Sequence, residues 1–343
     1  AYTYDALDRV VTMTYPDGEE VTTTYNDQGL PKTLAGTSVY VSDATYNALG
    51  QIREQHLGNG AITTWKYYGD GDPWGTEPNF RLWQILTMDS QEQELLRLEY
   101  AYDAVGNVSF MVDYYNSGGD TEDLEFTYDA LDRLTDASIA YDAHYEYSPI
   151  GNLEEKTEDG RSYILEYNDP NHVHAVSAVN GVEQTYDANG NMTQRVVDGV
   201  TYDQAWDDEN RLVSVTANGQ ATAFTYDADG ALVKKADPDG ITHYMGKHHE
   251  RNVSTGGEKT YYYFAGRRVA MNEDGVLYYI VGDRLGTTSL VLDDSENEVA
   301  GSRHYPYGQE RWSSGTLPTE FRFTGQRLED DIKLYQMGAR WYD

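Results

Sequence analysis

Cysteine is absent from this 343-residue chain, which removes disulfide frameworks and thiolate metal sites and leaves the redox compartment unreadable. No apolar run approaches the roughly 20 residues that a membrane helix needs, and no basic-then-apolar leader opens the sequence. Basic residues are scarce: 25 Lys and Arg face 58 Asp and Glu, a formal net charge of -33. Such a charge repels phosphate backbones and anionic lipid, so nucleic acid is set aside as a partner and no membrane span is expected. Acidic residues in turns are ordinarily solvated, and neither a metal nor any other cofactor is expected. A sustained helical period is missing too, as are the His-Glu-x-x-His, Gly-x-Ser-x-Gly, phosphate-loop and dinucleotide signatures. The chain is therefore expected not to be an enzyme.

What the chain has in abundance is tyrosine, 31 residues of it, within an aromatic content of 13%. The tyrosines recur in a pattern of Tyr-Asp-x-x-Gly/Asp-Asn/Arg-aliphatic, plainest in the stretches that begin Tyr4-Asp5 and Tyr128-Asp129, which share six consecutive identities. Further copies start at Tyr25, Tyr46, Tyr102 (with Asp103), Tyr147, Tyr167, Tyr186 (with Asp187), Trp206 (with Asp207) and Tyr226 (with Asp227). From Tyr128 to Tyr226 the spacings are 19, 20, 19, 20 and 20 residues.

Each element of the pattern has a structural reason. The aromatic residue ends a strand and packs against its cross-strand neighbours, and the following Asp or Asn accepts a backbone hydrogen bond from two residues on. Gly50, Gly106, Gly151, Gly190 and Gly230 supply a positive φ that a Cβ resists, and an aliphatic residue two positions later opens the next strand. A second turn signal follows most markers by about 12 or 13 residues: Asp17-Gly18, Asn59-Gly60, Asp159-Gly160, Asn180-Gly181, Asp198-Gly199, Asn218-Gly219 and Asp239-Gly240. These are preferred type I′ hairpin pairs, so each repeat reads as one hairpin. The expected fold is all-β: tandem antiparallel hairpins in one continuous sheet, too long to stay open, that curls into a spiral or barrel-like shell. Whether the enclosed space is filled or hollow is left open.

The rhythm breaks between Tyr68 and Tyr100, where residues 69–78 read as an inserted loop. An Asp70-x-Asp72 start resembles a calcium loop, but Trp74 and Arg81 stand where its fifth and closing acids belong. His172 and His174 alternate as a strand metal pair would, against an ordinary turn after Asp169-Pro170-Asn171. His248 and His249 lie in a polar connection and read as solvated.

The chain resembles the tyrosine-aspartate repeats of Rhs proteins, toxin-complex shells and teneurins. The most specific residues are C-terminal. Asp283-Arg284-Leu285-Gly286-Thr287-Thr288, Tyr305-Pro306-Tyr307-Gly308, Phe323-Thr324-Gly325-Gln326 and Gly338-Ala339-Arg340-Trp341-Tyr342-Asp343 are similar to the Rhs-associated core. The resemblance implies a repeat wall over residues 1–245, with the inserted loop at about 68–100, and a core segment over 246–343 that curls inward as a plug. It implies a hollow shell, secreted or at the cell surface, that encloses or presents a C-terminal toxin or other polypeptide. The family's aspartyl self-cleavage uses an arginine that Arg340 would match, plus two aspartates further downstream that this sequence does not contain. Cleavage is not carried over, and Arg340 is expected to be a structural ion-pairing residue. The rival reading is an adhesion or carbohydrate-binding module, in which exposed aromatic rows meet a glycan or cell-surface partner.

Overall fold

The computed structural model describes residues 1–70, 79–115, 120–338 and 340–343. It contains strands and one short 3-10 turn, Phe323–Gly325, and no α-helix among the described residues. No helix is therefore long and apolar enough to cross a membrane.

The repeats fold as read. Each strand pairs antiparallel with the next in sequence, in a meander of seventeen strands from Tyr2 to Glu183 and a second of fourteen from Thr185 to Gly315. The expected single ribbon is thus cut once. The strands at the cut, Ala178–Val179, Val182–Glu183 and Thr185–Tyr186, are two residues each and too short to carry a ladder across. Gln184 spans the gap with its side chain: its oxygen accepts from Val196 N at 3.1 Å and its amide donates to Val182 O at 3.0 Å. A third sheet of three strands, Arg327–Glu329, Leu334–Met337 and Arg340–Tyr342, follows.

The interval 68–100 is more regular than its sequence suggested. Leu82–Met88 and Glu94–Tyr102 are full strands joined by a turn in which Asp89 accepts from Gln91 N and Gln93 N. Strand is thus present from Leu82 onward, and residues 71–78, which hold most of the calcium-loop candidate beyond Asp70, lie outside the described residues.

The two meanders curl so that their apolar faces oppose. One cluster joins Tyr40, Val41, Trp65, Ile85 and Leu98 of the first to Tyr262, Phe264, Tyr279 and Leu290 of the second. Tyr40 stacks on Tyr262 with ring centroids 3.6 Å apart. Glu19 pins this contact, accepting from Tyr40 at 2.5 Å, Thr37 N at 2.7 Å and Tyr262 at 2.7 Å. These donors hold its carboxyl below the usual range although burial pushes the other way. Further along, Arg303 pairs with buried Asp113, and Arg311 with Glu122.

Candidate functional site

The turn after each repeat tyrosine is a small machine of its own. At the first copy Asp5 Oδ1 accepts from Leu7 N at 2.9 Å and Arg9 N at 3.1 Å, while Oδ2 takes Arg9 Nε at 2.7 Å. The freed face of the guanidinium lies 4.3 Å over the ring of Tyr25, in the next repeat. Asp129, Arg133 and Tyr147 repeat this arrangement, with Arg133 4.6 Å over the ring, as do Asp207, Arg211 and Tyr226 at 5.5 Å. Where asparagine replaces arginine it bonds the same carboxylate, as in Asn107 to Asp103 and Asn191 to Asp187. The fifth position is left-handed in every copy but the one at Tyr167, where Asn171 is not: Gly50 lies at φ 77, Gly106 at 111, Gly151 at 94, Gly190 at 84 and Gly230 at 83, but also Asp8 at 58 and Asp132 at 60.

The tyrosine hydroxyls carry a role that sequence reasoning missed. From Tyr25 onward each donates to an earlier carbonyl, and in every case but that of Tyr186 the acceptor is the aliphatic or proline residue that opens a strand. Tyr25 reaches Val10 at 2.7 Å, Tyr46 reaches Pro31 at 2.6 Å, and Tyr102 reaches Leu82 at 2.6 Å. Tyr128 reaches Val108 at 2.8 Å, Tyr147 Leu134 at 2.8 Å, Tyr167 Leu153 at 2.9 Å, Tyr186 Val176 at 2.9 Å and Tyr226 Leu212 at 2.8 Å. Trp206 makes the same bond through Nε1, to Met192 O at 2.7 Å. A donor is what the position requires, which is why tryptophan serves there.

The candidate site proper is the closing segment from Pro318 onward, which crosses one face of the second meander. Ile332, Leu334 and Trp341 pack on Tyr202, Leu212, Val215 and Phe224. Charges fix its register. Lys235 meets Glu329 at 2.7 Å and Asp237 at 2.8 Å, Lys259 meets Glu320 at 2.7 Å, and Arg327 pairs with Glu250. Arg195, 1% exposed, donates to Ile332 O and lies 3.0 Å from Asp343 Oδ1. Lys235 is held above its usual pKa mainly by Glu329, against its own burial. Each buried charge here has an opposite charge beside it, as burial demands.

The core-motif residues anchor this segment. Asp283 Oδ1 accepts from Leu285 N at 2.8 Å and Thr287 N at 2.9 Å, a copy of the repeat turn with Gly286 at φ 86. Gly308, at φ 95, leaves room for the Phe323 ring, whose edge stands 2.7 Å from where a Cβ would sit. Gly325 lies at φ 69 under Arg268, and Tyr342 donates to Tyr307 O at 2.8 Å. Arg340 is exposed and pairs through its backbone with Met337; no ion pair is found for it among the described residues. The expected ion-pairing role falls instead to Arg195, Arg327, Lys235 and Lys259.

The histidines also differ from expectation. His249 is 2% exposed and bonds Thr260 at 2.9 Å, and burial lowers the pKa of His248, which lies edge-on to Tyr15 and Tyr263. Neither is solvated: Tyr263 of the following strand and Tyr15 of the first meander cover His248, and Thr260 of the following strand bonds the buried His249. His172 and His174 sit in a turn, bonded to Asp169 and Asn152 respectively. Among the described residues no cluster of potential ligands could hold a metal ion.

Two cavities, of about 200 and 360 Å³, adjoin at the turn formed by Asp283, Arg284 and Leu285. The family model for the teneurin YD-shell matches residues 78–343. The chain belongs to the teneurin YD-shell family. No curated protein matches it. Among solved structures, TcdB2-TccC3-Cdc42 superposes with a TM-score of 0.83 at 21% identity, over 99% of this chain and 20% of that one. TcdB2-TccC3 gives 0.72 at 19% identity, over 100% and 20%. A Photorhabdus luminescens Tc holotoxin pore gives 0.71 at 20% identity, over 100% and 19%. The chain thus spans about a fifth of the length of these structures, and at such identities the likeness is one of fold. YD-shell membership supports a structural shell role.

Proposed function

We propose that this YD-shell chain is non-catalytic wall and plug of a larger secreted or cell-surface protein, which encloses or presents a C-terminal toxin or other polypeptide. The observation that carries the reading is the closing segment. It is seated on one face of the second meander by paired buried charges, and Asp343 is tied to Arg195 at its far end. A polypeptide attached there starts from the plug side of the wall. The cavities of about 200 and 360 Å³ are too small for a folded cargo, and on this reading the enclosing volume belongs to a longer shell. The absence of cysteine makes a direct test available. In the full natural polypeptide, a single cysteine introduced a few tens of residues beyond Asp343 should react with maleimide at least tenfold more slowly than in the same segment free in solution. Equal rates would remove the enclosure reading.

The glycan-binding alternative finds little support in the aromatics. From Tyr25 onward the repeat rings are half-buried with their donors committed to carbonyls, and the aromatic residues among the exposed large hydrophobics are Tyr2, Tyr4 and Phe80.

A further inference from the structure

Acceptor triplets for N-linked sugar, Asn-x-Ser/Thr with x other than proline, occur three times in the chain: Asn107-Val108-Ser109, Asn191-Met192-Thr193 and Asn252-Val253-Ser254. The sequence treats the three alike, and the fold separates them.

Asn107 and Asn191 close repeat turns, and their side-chain amides are fully used. Asn107 donates to Asp103 Oδ2 at 3.0 Å and to Asp132 Oδ1, in the following turn, at 3.0 Å. Asn191 donates in the same way to Asp187 Oδ2 at 2.9 Å and to Asn210 Oδ1 at 2.8 Å. A sugar on either nitrogen would take one of these protons, break a bond within or between turns and force a bulky group among them. The residues that complete both triplets lie in the strands Val108–Tyr115 and Met192–Val197, where Thr193 bonds Thr185 of the neighbouring strand at 2.8 Å.

Asn252 is placed differently. It ends the strand His249–Asn252 at the hairpin turn that leads to Glu258–Phe264, and residues 253–256 of that turn are all exposed. Its Oδ1 accepts from Ser254 N at 2.9 Å and from Thr255 N at 3.0 Å. Backbone amides can only donate, so these bonds fix which end of the side chain is oxygen, and the planar amide turns Nδ2 away from them. Among the described residues Nδ2 has no partner. The turn is held by the two Oδ1 bonds together with Asn252 N to Gly257 O and Gly256 N to Asn252 O, each at 2.8 Å, and it needs neither amide proton.

We infer that Asn252 is the chain's site of N-linked glycosylation. In the transfer, Nδ2 attacks the anomeric carbon of an oligosaccharide carried on a polyprenyl diphosphate. The nitrogen–carbon bond forms as the bond from that carbon to the diphosphate oxygen breaks; the lipid diphosphate leaves with the electron pair, and one amide proton passes to a base of the transferase. Oδ1 and both of its bonds survive, so the turn keeps its form with the sugar attached. The natural setting of this modification rests on the secreted or cell-surface reading.

The full chain, secreted behind a supplied export leader from cells that carry out N-linked glycosylation, tests the site without relying on the chain's own route of export. A bare Asn252 then counts against the site and leaves the secreted or cell-surface reading untouched. Peptide mapping by mass spectrometry should find one oligosaccharide per chain, on Asn252, removed by peptide N-glycosidase with conversion of that residue to aspartate. Asn252→Gln and Ser254→Ala should each abolish the mass shift, and Ser254→Thr should retain it. Ser109→Ala and Thr193→Ala delete the other two triplets while leaving their asparagines in place, and should change nothing. If Asn252→Gln is not secreted, the wild-type map decides alone. Unmodified Asn252 in the wild type, or sugar on Asn107 or Asn191 at comparable occupancy, overturns the proposal.

Discussion

A phenol that donates to a carbonyl of an earlier strand does two jobs, covering apolar surface with its ring and satisfying a half-buried backbone acceptor with its hydroxyl. Removing only the hydroxyl separates the two. Tyr226→Phe and Trp206→Phe should each lower unfolding stability by about 1–2 kcal/mol, because each leaves a carbonyl without its donor. Thermal melts would show it, and a change within error at both sites would dismiss the hydroxyl as a tie. The aromatic and the acid of each repeat were legible in the sequence; the bond between repeats was not, since a backbone acceptor leaves no mark on the residue that carries it. Protonation offers a second test at this scale. Burial and nearby Arg322, Arg303 and Arg311 push His304 down to about 4, whereas the hydrogen bond to Asp136 raises His144 above its ordinary value. His304 therefore stays neutral in the fold, and its contribution to stability is whole above about pH 6.5 and is lost as pH falls toward 4. An NMR titration should find the two rings protonating well apart, His144 first as the pH is lowered; coincident midpoints would contradict it.

At the scale of the hairpin, the acid after the aromatic organises the whole reversal. Asp129→Ala deletes the acceptor for Leu131 N, Arg133 N and Arg133 Nε together, and should cost about 1–3 kcal/mol, mostly recovered in Asp129→Asn, which keeps an oxygen for the amides. Equal destabilisation by both would place the effect in the ion pair instead. The second turns were read less evenly. Asp159-Gly160, Asn180-Gly181, Asp198-Gly199 and Asn218-Gly219 place both residues at positive φ, as type I′ requires. In Asp17-Gly18, Asn59-Gly60 and Asp239-Gly240 only the glycine does. Pro16 and Pro238, with φ fixed by their rings, occupy the preceding corner in two of these, and Gly58 does so in the third. Type I′ therefore depends on a residue outside the dipeptide that signals it. In the closing segment, Gly308→Ala should displace Phe323, and limited proteolysis should then cut within 319–343 faster than in the wild type. An unchanged digestion pattern would show that the glycine does not hold the plug.

Across the whole molecule, curvature follows from strand number, and the all-β character was plain from the turn signals alone. The cut at Gln184 and the opposition of the two meanders were not, because contacts such as Tyr40 with Tyr262 join residues that no local pattern relates. Gln184→Ala should speed hydrogen exchange at Val196 and in the two-residue strands around the cut by about tenfold, while amides in the Thr288–Leu292 strand stay protected. Uniform acceleration would mean that the two meanders unfold as one.

Because each aromatic clasps the hairpin before it, the smallest change of length this wall accepts without losing a clasp is one complete unit of about 20 residues. A one-residue insertion inside a strand would reverse which side chains face each side of the sheet beyond it. Copy number, rather than loop growth, is thus the natural way for such a wall to grow, and its girth should come in steps.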